Sequence, residues 1–384
     1  VNVKENGLMK EKIAIIGASE FQNPLILRAK EKGYESHVFA WEAGDIGEET
    51  ADVFHPVSIV DKEKILEICR AEGIAGICSI GSDLASLTVS YVAEALGLRG
   101  NSMASAELST NKYAMRCAFK AADDPIPGFM EGDATTRPQD VALTYPLIVK
   151  PTDRSGSRGV TKIEGPDGLE AAIHKALEDS FEKKVMIEEF VEGKEYSVEC
   201  ISYEGIHVFL ALTEKRTTGA PNFIEKGHLQ PAEVTPALRN QIITIVKKAL
   251  DTLQIRFGAS HSEIIIQKNG VIRIVEIGGR MGGDCIGSHL VPLSTGYDFV
   301  GMVIDIACGK VPDFSIIHEP SPVEIRFIFG PEDLADYEAM KEAAEDRIVC
   351  TSLPEKLDDH PVTDSSSRYG FYIFEKERMG ADVD

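Results

Sequence analysis

The sequence predicts an α/β chain: an N-terminal doubly wound parallel sheet, then an α+β part, then a small C-terminal α+β piece. Three observations predict it. Strand-length apolar runs alternate with helix-period segments through residue 100. Hairpin signals take over after residue 145, above all Asn269-Gly270 between two β-rich runs. The 384 residues are 43% hydrophobic and 27% charged, which supplies apolar side chains for two or three cores.

Residues 12–16 read as a buried strand closed by Gly17, Ala18 and Ser19. A helix over about 23–32 stops at Gly33, and residues 36–40 form the next strand. Residues 61–72 read as a helix, 74–80 as a strand closed by Gly81, Ser82 and Asp83, and 84–96 as a helix ended by Gly97. Gly17 and Ser19 sit where backbone N–H groups can meet an anion. The full GxGxxG fingerprint is absent, so Gly17 and Gly81 read as tight turns. In the linking stretch, Ser109, Thr110 and Asn111 offer N-caps to a helix over 112–121, which Pro125, Pro127 and Gly128 end. A second good helix over 236–253 carries Leu238, Ile242, Val246, Ala249 and Leu253 at helical spacing. Residues 311–384 predict strands near 323–329 and 370–374 and a helix over 337–346.

Forty basic against 62 acidic side chains leave a formal net charge of -22. That argues against nucleic acid or an anionic membrane as partner, though a few cations in a cleft can still hold a small anion. No apolar run approaches the roughly 18 residues of a membrane span. The first twelve residues lack the apolar core of a secretory leader. The seven cysteines form no CxxC pair, so neither a disulfide framework nor a zinc site is expected, and a cytoplasmic setting fits. A homodimer is the base-rate expectation for assembly.

The most informative segment is 257–280. A two-residue turn at Asn269-Gly270 sets Lys268 opposite Val271. Counting back, Ile265 opposes Ile274, Glu263 opposes Glu276 and His261 opposes Gly278. Opposed residues share a face with Cβ atoms roughly 5 Å apart, and like charges there repel. The face is expected to continue into Ile265, Ile274 and Ile272, so something positive should sit between the acids. Hard oxygens aimed at one spot suit Mg²⁺, with Mn²⁺ as an alternative; the bland reading is a pair of exposed acids. His261 is either on the same site or a satisfied core histidine. Arg280 suits a phosphate or carboxylate, or else pairs with Asp284.

Upstream, Lys150 ends an apolar strand, where a lysine is costly unless paired. Ser155, Gly156, Ser157, Arg158 and Gly159 make a small, cationic loop that can cover a polyphosphate or simply face solvent. Residues Glu188, Glu189, Phe190 and Val191 end a strand before the Gly193 turn, and Glu195, Ser197 and Glu199 alternate onto one face of the next. Such a hinge can read an adenine edge through backbone atoms, with Glu195 on ribose, or be an ordinary turn.

Taken in order, these segments resemble the ATP-grasp superfamily of ADP-forming ligases over about residues 12–330. The resemblance rests on Lys112, Lys150, the 155–159 loop, Glu188–Val191, Glu195, and Glu263 and Glu276 with Arg280. It implies that Lys112 and Lys150 grip nucleotide phosphates, that the loop covers them, that the hinge holds adenine and Glu195 ribose, and that Glu263 and Glu276 carry Mg²⁺. It also implies a division into an N-terminal domain (1–105), an ATP-grasp domain (106–310) with a lid lobe at about 125–190 and a metal-bearing lobe at about 191–310, and a C-terminal subdomain (311–384). Many members have Asn where this chain has Gly278, so a third side-chain metal ligand is missing. The segments around Glu263 and Arg280 look closest to L-amino acid ligases, a branch in which His261 and Arg280 would lie near the acyl phosphate and acceptor.

By its place in the order, the 213–232 stretch should wall the acceptor pocket. Lys215 or Arg216 would bind phosphate or a carboxylate, and Glu225 and His228 polar groups, or these are surface charges. Gly282 and Gly283 would allow close approach of a substrate. Arg326 would face the substrate or pair with Glu324. The implied reaction activates a small carboxylate with ATP as an acyl phosphate, assisted by Lys150 and Arg280, and passes it to an amine that His261 orients or deprotonates. The rival readings are a purine-pathway type of carboxylase or ligase, and a nucleotide-binding protein without turnover.

Overall fold

The computed structural model describes residues 10–154, 156–220, 223–354 and 356–377. Its first four strands, β1 (Lys12–Ile16), β2 (Glu35–Ala40), β3 (Val53–Pro56) and β4 (Gly76–Cys78), form a parallel sheet in the order β3-β2-β1-β4. Strand alternation explains why both faces are covered. Ile13 and Ile15 of β1 pack with Leu25 and Ile26 of helix Asn23–Glu31, whereas Ala14 and Ile16 pack with Ile65 and Cys69 of helix Lys62–Glu72. Helix ends follow their caps. Asp61 accepts from the Lys64 N–H, and Gly73 and Gly97 close their helices at φ 68° and 67°. The helix Ile46–Thr50, strand β3 and helix Met103–Thr110 escape the sequence reading, being short and weakly patterned.

Strands β5 (Phe129–Gly132), β6 (Leu147–Pro151), β7 (Thr161–Ile163) and β8 (Val185–Glu189) form an antiparallel sheet in the order β5-β8-β6-β7, with helix Leu169–Asp179 packed on it. The remaining eight, β9 (Lys194–Tyr203), β10 (Ile206–Thr217), β11 (Glu225–Gln230), β12 (Gly258–Ile266), β13 (Ile272–Gly278), β14 (Val323–Ile328), β15 (Ile348–Ser352) and β16 (Gly370–Glu375), form one antiparallel sheet ordered β13-β12-β9-β10-β11-β14-β16-β15. The strands described after residue 311 therefore join this large sheet; β14 pairs with β11, Leu229 opposite Glu324. The helix expected over 337–346 runs from Pro331 to Ala344, since proline suits a first turn.

The hairpin β12–β13 departs from expectation twice, and the departures cancel. The Gln267 N–H donates to Val271 O and the Gly270 N–H to Gln267 O, with Gly270 at φ 84°. The connection is thus one residue longer than a two-residue turn, and Ile265 faces Arg273 rather than Ile274. A bulge then shifts the register between Glu263 and Ile264, which restores Glu263 opposite Glu276 and His261 opposite Gly278. The same bulge turns Ile272 and Ile274 away from the acids. They join Ile264 and Ile277 in the core beneath helix Pro236–Thr252.

Around the bulge, Arg116 of helix Lys112–Ala121 donates to Val275 O at 2.6 Å and to Glu188 Oε2 at 3.1 and 2.8 Å. Lys150 completes the set, 2.5 Å from Glu188 Oε1. Burial would raise the Glu188 carboxyl, but Arg116 and Lys150 outweigh it and bring it down to about 2. The trio joins the four-stranded antiparallel sheet to the hairpin.

Two outcomes follow from this packing. Replacing Ile274, fully buried, by alanine should cost about 2–5 kcal/mol in urea unfolding, against about 0.5 kcal/mol or less for Val271→Ala at the half-exposed turn. The carboxyl of Glu188 lies below its ordinary value of 4.5 when folded, so its contribution is complete above pH 4.5 and fades as pH falls toward 2. The stability gap between wild type and Glu188→Gln, from urea midpoints at a series of pH values, should narrow across that window.

Candidate functional site

A cleft of about 510 Å³ lies between the lobe bearing β5–β8 and the eight-stranded sheet. Its walls bring together Lys112, Lys150, Gly156, Ser157, Arg158, Glu188, Glu189, Phe190, Val191, Glu195, Lys215, Glu225, His261, Glu263, Glu276 and Arg280.

At the centre, Glu263 and Glu276 face each other across the hairpin. Each has its own ammonium. Lys112 Nζ is 2.7 Å from Glu276, and Lys215 Nζ is 2.6 Å from Glu263, 2.9 Å from Glu195 and 3.5 Å from Glu225. Burial opposes both lysine charges, but Glu276 holds Lys112 above the usual lysine range, and Glu195, Glu263 and Glu225 hold Lys215 well above it. Glu263, despite its burial, is held well below the carboxylate range by Lys215 and His261. Among the described residues no group of three or more His, Cys, Asp or Glu side chains is placed to hold a metal. Two carboxylates alone give a cation hard oxygens and leave the rest of its shell to ligand and water, a donor set that fits Mg²⁺ bound with phosphates.

His261 is clamped. Its Nδ1 meets Glu199, fully buried on β9, and its Nε2 lies 3.3 Å from Glu263. Burial disfavours the imidazolium, yet Glu199 and Glu263 raise it to about 9. Both ring nitrogens thus face carboxylates, which favour the protonated ring. Gly282 closes the same corner. Its N–H donates to Glu199 at 3.1 Å, and a Cβ there would stand 2.7 Å from His261 Nδ1.

Arg280 pairs with Asp83, not with Asp284. Its Nε and Nη2 reach the two Asp83 oxygens at 2.7 and 3.0 Å, tying the N-terminal domain to the cleft. The guanidinium and that carboxylate fill the space beside Gly278, where a Cβ would come within 3.2 Å of Asp83 Oδ1. Asp284 instead binds Arg368 at 3.0 and 2.6 Å, and Ser365 donates to Glu225 at 2.6 Å, so the C-terminal segment grips the cleft's wall.

Toward the hinge, the Phe190 N–H donates to Pro146 O, and its ring carries the Lys162 ammonium at 4.3 Å. The carboxylate of Glu189 turns back to the Thr144 N–H at 3.1 Å. Glu188, with Arg116 and Lys150, is part of the ion trio, so its side chain is spoken for. Ser157 donates to Phe223 O, bringing the loop over the cleft. Ser155 lies outside the described residues.

Several expected residues stand elsewhere. Gly159 packs on Asp179 and Pro151, and Gly283 lies against Gly81. His228 is buried against Phe327, 3.8 Å from Asp284, with neither ring nitrogen hydrogen-bonded. Arg326 binds Glu324 at 2.8 Å and lines a separate surface pocket with Arg216. Three residues were missed. Arg116, one helical turn after Lys112, had a readable signal in the shared face. Glu199 was visible only as an alternating acid, and Asp83 only as part of a strand-closing turn.

The comparisons agree with this geometry. Residues 143–288 match the model of the ATP-grasp domain. The alanine--anticapsin ligase of Bacillus subtilis is 27% identical over 301 residues, covering 68% of this chain and 63% of that protein; the chain thus spans under two thirds of that relative. The D-alanine--D-alanine ligase B of Chromobacterium violaceum is 28% identical over 262 residues, covering 65% of this chain and 84% of that one. The crystal structure of L-amino acid ligase from Bacillus licheniformis shares the fold at a TM-score of 0.80, 22% identity, and coverage of 96% and 94%. Over residues 143–288, then, the chain is similar to the ATP-grasp domain, and its fold is that of the L-amino acid ligase structure.

Proposed function

We propose that this chain is an ATP-dependent, ADP-forming ligase that joins a small carboxylate, of the amino-acid class, to an amine. The observation that carries the reading is the Glu263–Glu276 pair, set face to face in a cleft whose other walls supply Lys112, Lys150, Arg158 and Arg280. Support for the substrate class comes from the names of the relatives.

In this reading the lobe at 125–190 and the lobe at 191–310 hold ATP between them. The hinge at Glu189, Phe190 and Val191 borders the adenine, and Glu195 meets ribose hydroxyls. Lys112 and Lys150 neutralise phosphate oxygens, and Gly156, Ser157 and Arg158 cover them from water. Glu263 and Glu276 would hold a divalent cation, Mg²⁺ by donor chemistry, and it would supply charge stabilisation to the transferred phosphoryl group. A carboxylate oxygen attacks the γ-phosphorus, the bond to the β-bridging oxygen breaks, and ADP leaves with the electron pair. The amine nitrogen then attacks the acyl carbon, the C–O bond to phosphate breaks, and the amine proton passes to solvent. Arg280, held by Asp83, and His261, held by Glu199, face the place where the acyl phosphate forms and stabilise its negative charge.

Lys112 and Lys215 balance the acids without nucleotide. Product analysis tests the reaction: ADP and phosphate should appear in equal amounts with the amide, and AMP with pyrophosphate would overturn it. Glu263→Gln and Glu276→Gln should each lower kcat by about 10²–10³, with far-ultraviolet circular dichroism unchanged. Chelation with EDTA should abolish ADP release, and added Mg²⁺ should restore it.

A further inference from the structure

Arg216 and Arg326, expected at the substrate, stand away from the cleft and beside each other. Along β10, alternation sends Lys215 into the cleft and Arg216 to the opposite face of the sheet. Arg216 opposes Gly227 of β11, Gly227 opposes Arg326 of β14, and Arg326 opposes Tyr372 of β16. Opposed residues share a face, so the two arginines stand roughly 10 Å apart across a residue without a side chain. A Cβ at Gly227 would come 2.5 Å from Ile325 O, so no side chain can fill that gap. The pairing shifts between Arg216 and Thr217, which leaves Lys226 as the extra residue of a bulge. Lys226, both arginines, Glu324, Asp333 and Asp336 line a cavity of about 270 Å³ that shares no lining residue with the cleft.

Glu324, buried beneath the arginines, has more cations than it can neutralise. It accepts from Arg326 at 2.8 Å and from Arg216 at 3.1 Å, and Lys376 lies 3.3 Å away. Burial would raise its carboxyl, but Arg326, Arg216 and Lys376 hold it below the usual range. Lys226 adds a further charge; it is exposed and forms no ion pair among the described residues. The other acids nearby do less. Asp333 accepts the Phe329 N–H at 2.8 Å, Asp336 is exposed to water that screens it, and Glu214 stands 3.8 Å from Arg216. Both arginine side chains are almost half exposed, and each commits one nitrogen to Glu324. A guanidinium has five donors in a planar fork, which leaves both forks able to hold a second oxyanion. The volume is below the roughly 300–1,000 Å³ of pockets for drug-sized ligands, so the occupant is small.

We infer that this cavity is a binding site for a small phosphate-class oxyanion, free or as the phosphate group of a small ester, held by Arg216, Arg326 and Lys226. The site stands apart from the ligase reading and needs no turnover to be observed. It is nevertheless tied to the cleft through the backbone, because Lys215 and Arg216 are neighbours on β10 and face opposite ways.

The test is isothermal titration calorimetry of the full chain at low ionic strength, with inorganic phosphate and glycerol 3-phosphate as separate probes. Mg²⁺ and a non-hydrolysable ATP analogue are present throughout, to keep either probe out of the cleft. Saturable binding of inorganic phosphate would assign the free anion, and binding of glycerol 3-phosphate alone would assign an ester. Arg326→Gln and Lys226→Glu should each weaken that binding about tenfold or more. Because Lys226 is exposed and unpaired, Lys226→Glu should leave the urea midpoint unchanged, so its lost affinity is not a loss of fold. No saturable binding of either probe up to about 10 mM, or an affinity that either variant leaves unchanged, overturns the site.

Discussion

Two carboxylates set opposite each other on neighbouring strands repel, and removing water makes the repulsion worse. Much else in the molecule answers that constraint. Lys112 arrives from helix Lys112–Ala121 and Lys215 from β10, one for each acid. Glu199 stands behind His261 and favours its protonated form. Arg280 adds a further cation, and Asp83 of the N-terminal domain balances it. Such an arrangement stores positive charge beside negative charge in one cleft. A polyphosphate carrying a divalent cation offers both partners at once.

Local physics made most of the N-terminal sheet readable. Apolar strands ending in glycine, helices capped by Asp61 and closed by Gly73 or Gly97, and a proline-initiated helix at Pro236 are all short-range effects. Opposition of Glu263 to Glu276 was also legible, though through two compensating local features. A longer turn and a bulge each shift the pairing by one, and no sequence pattern announces the bulge. Its mark is instead structural: Val275 O is released toward Arg116.

Long-range partners were not legible for a different reason. Asp83 and Arg280 are separated by 197 positions, and Arg116 and Glu188 by 72. Nothing in either local pattern says which distant charge it will meet. The sequence order gathered Glu225 into the cleft but also suggested His228 and Arg326. His228 lies beneath the sheet's surface and Arg326 in a separate pocket with Arg216.

The way β14 and β16 continue the large sheet has a mechanical consequence. Strand β11 is stitched on both sides, by β10 and by β14, and Arg368 holds Asp284 from the segment leading into β16. Cutting the chain just before β14 would leave β11 with an open row of amides and Asp284 with no guanidinium. The tail is thus a buttress for the floor of the cleft, and its loss would loosen a region that lies far upstream of the cut.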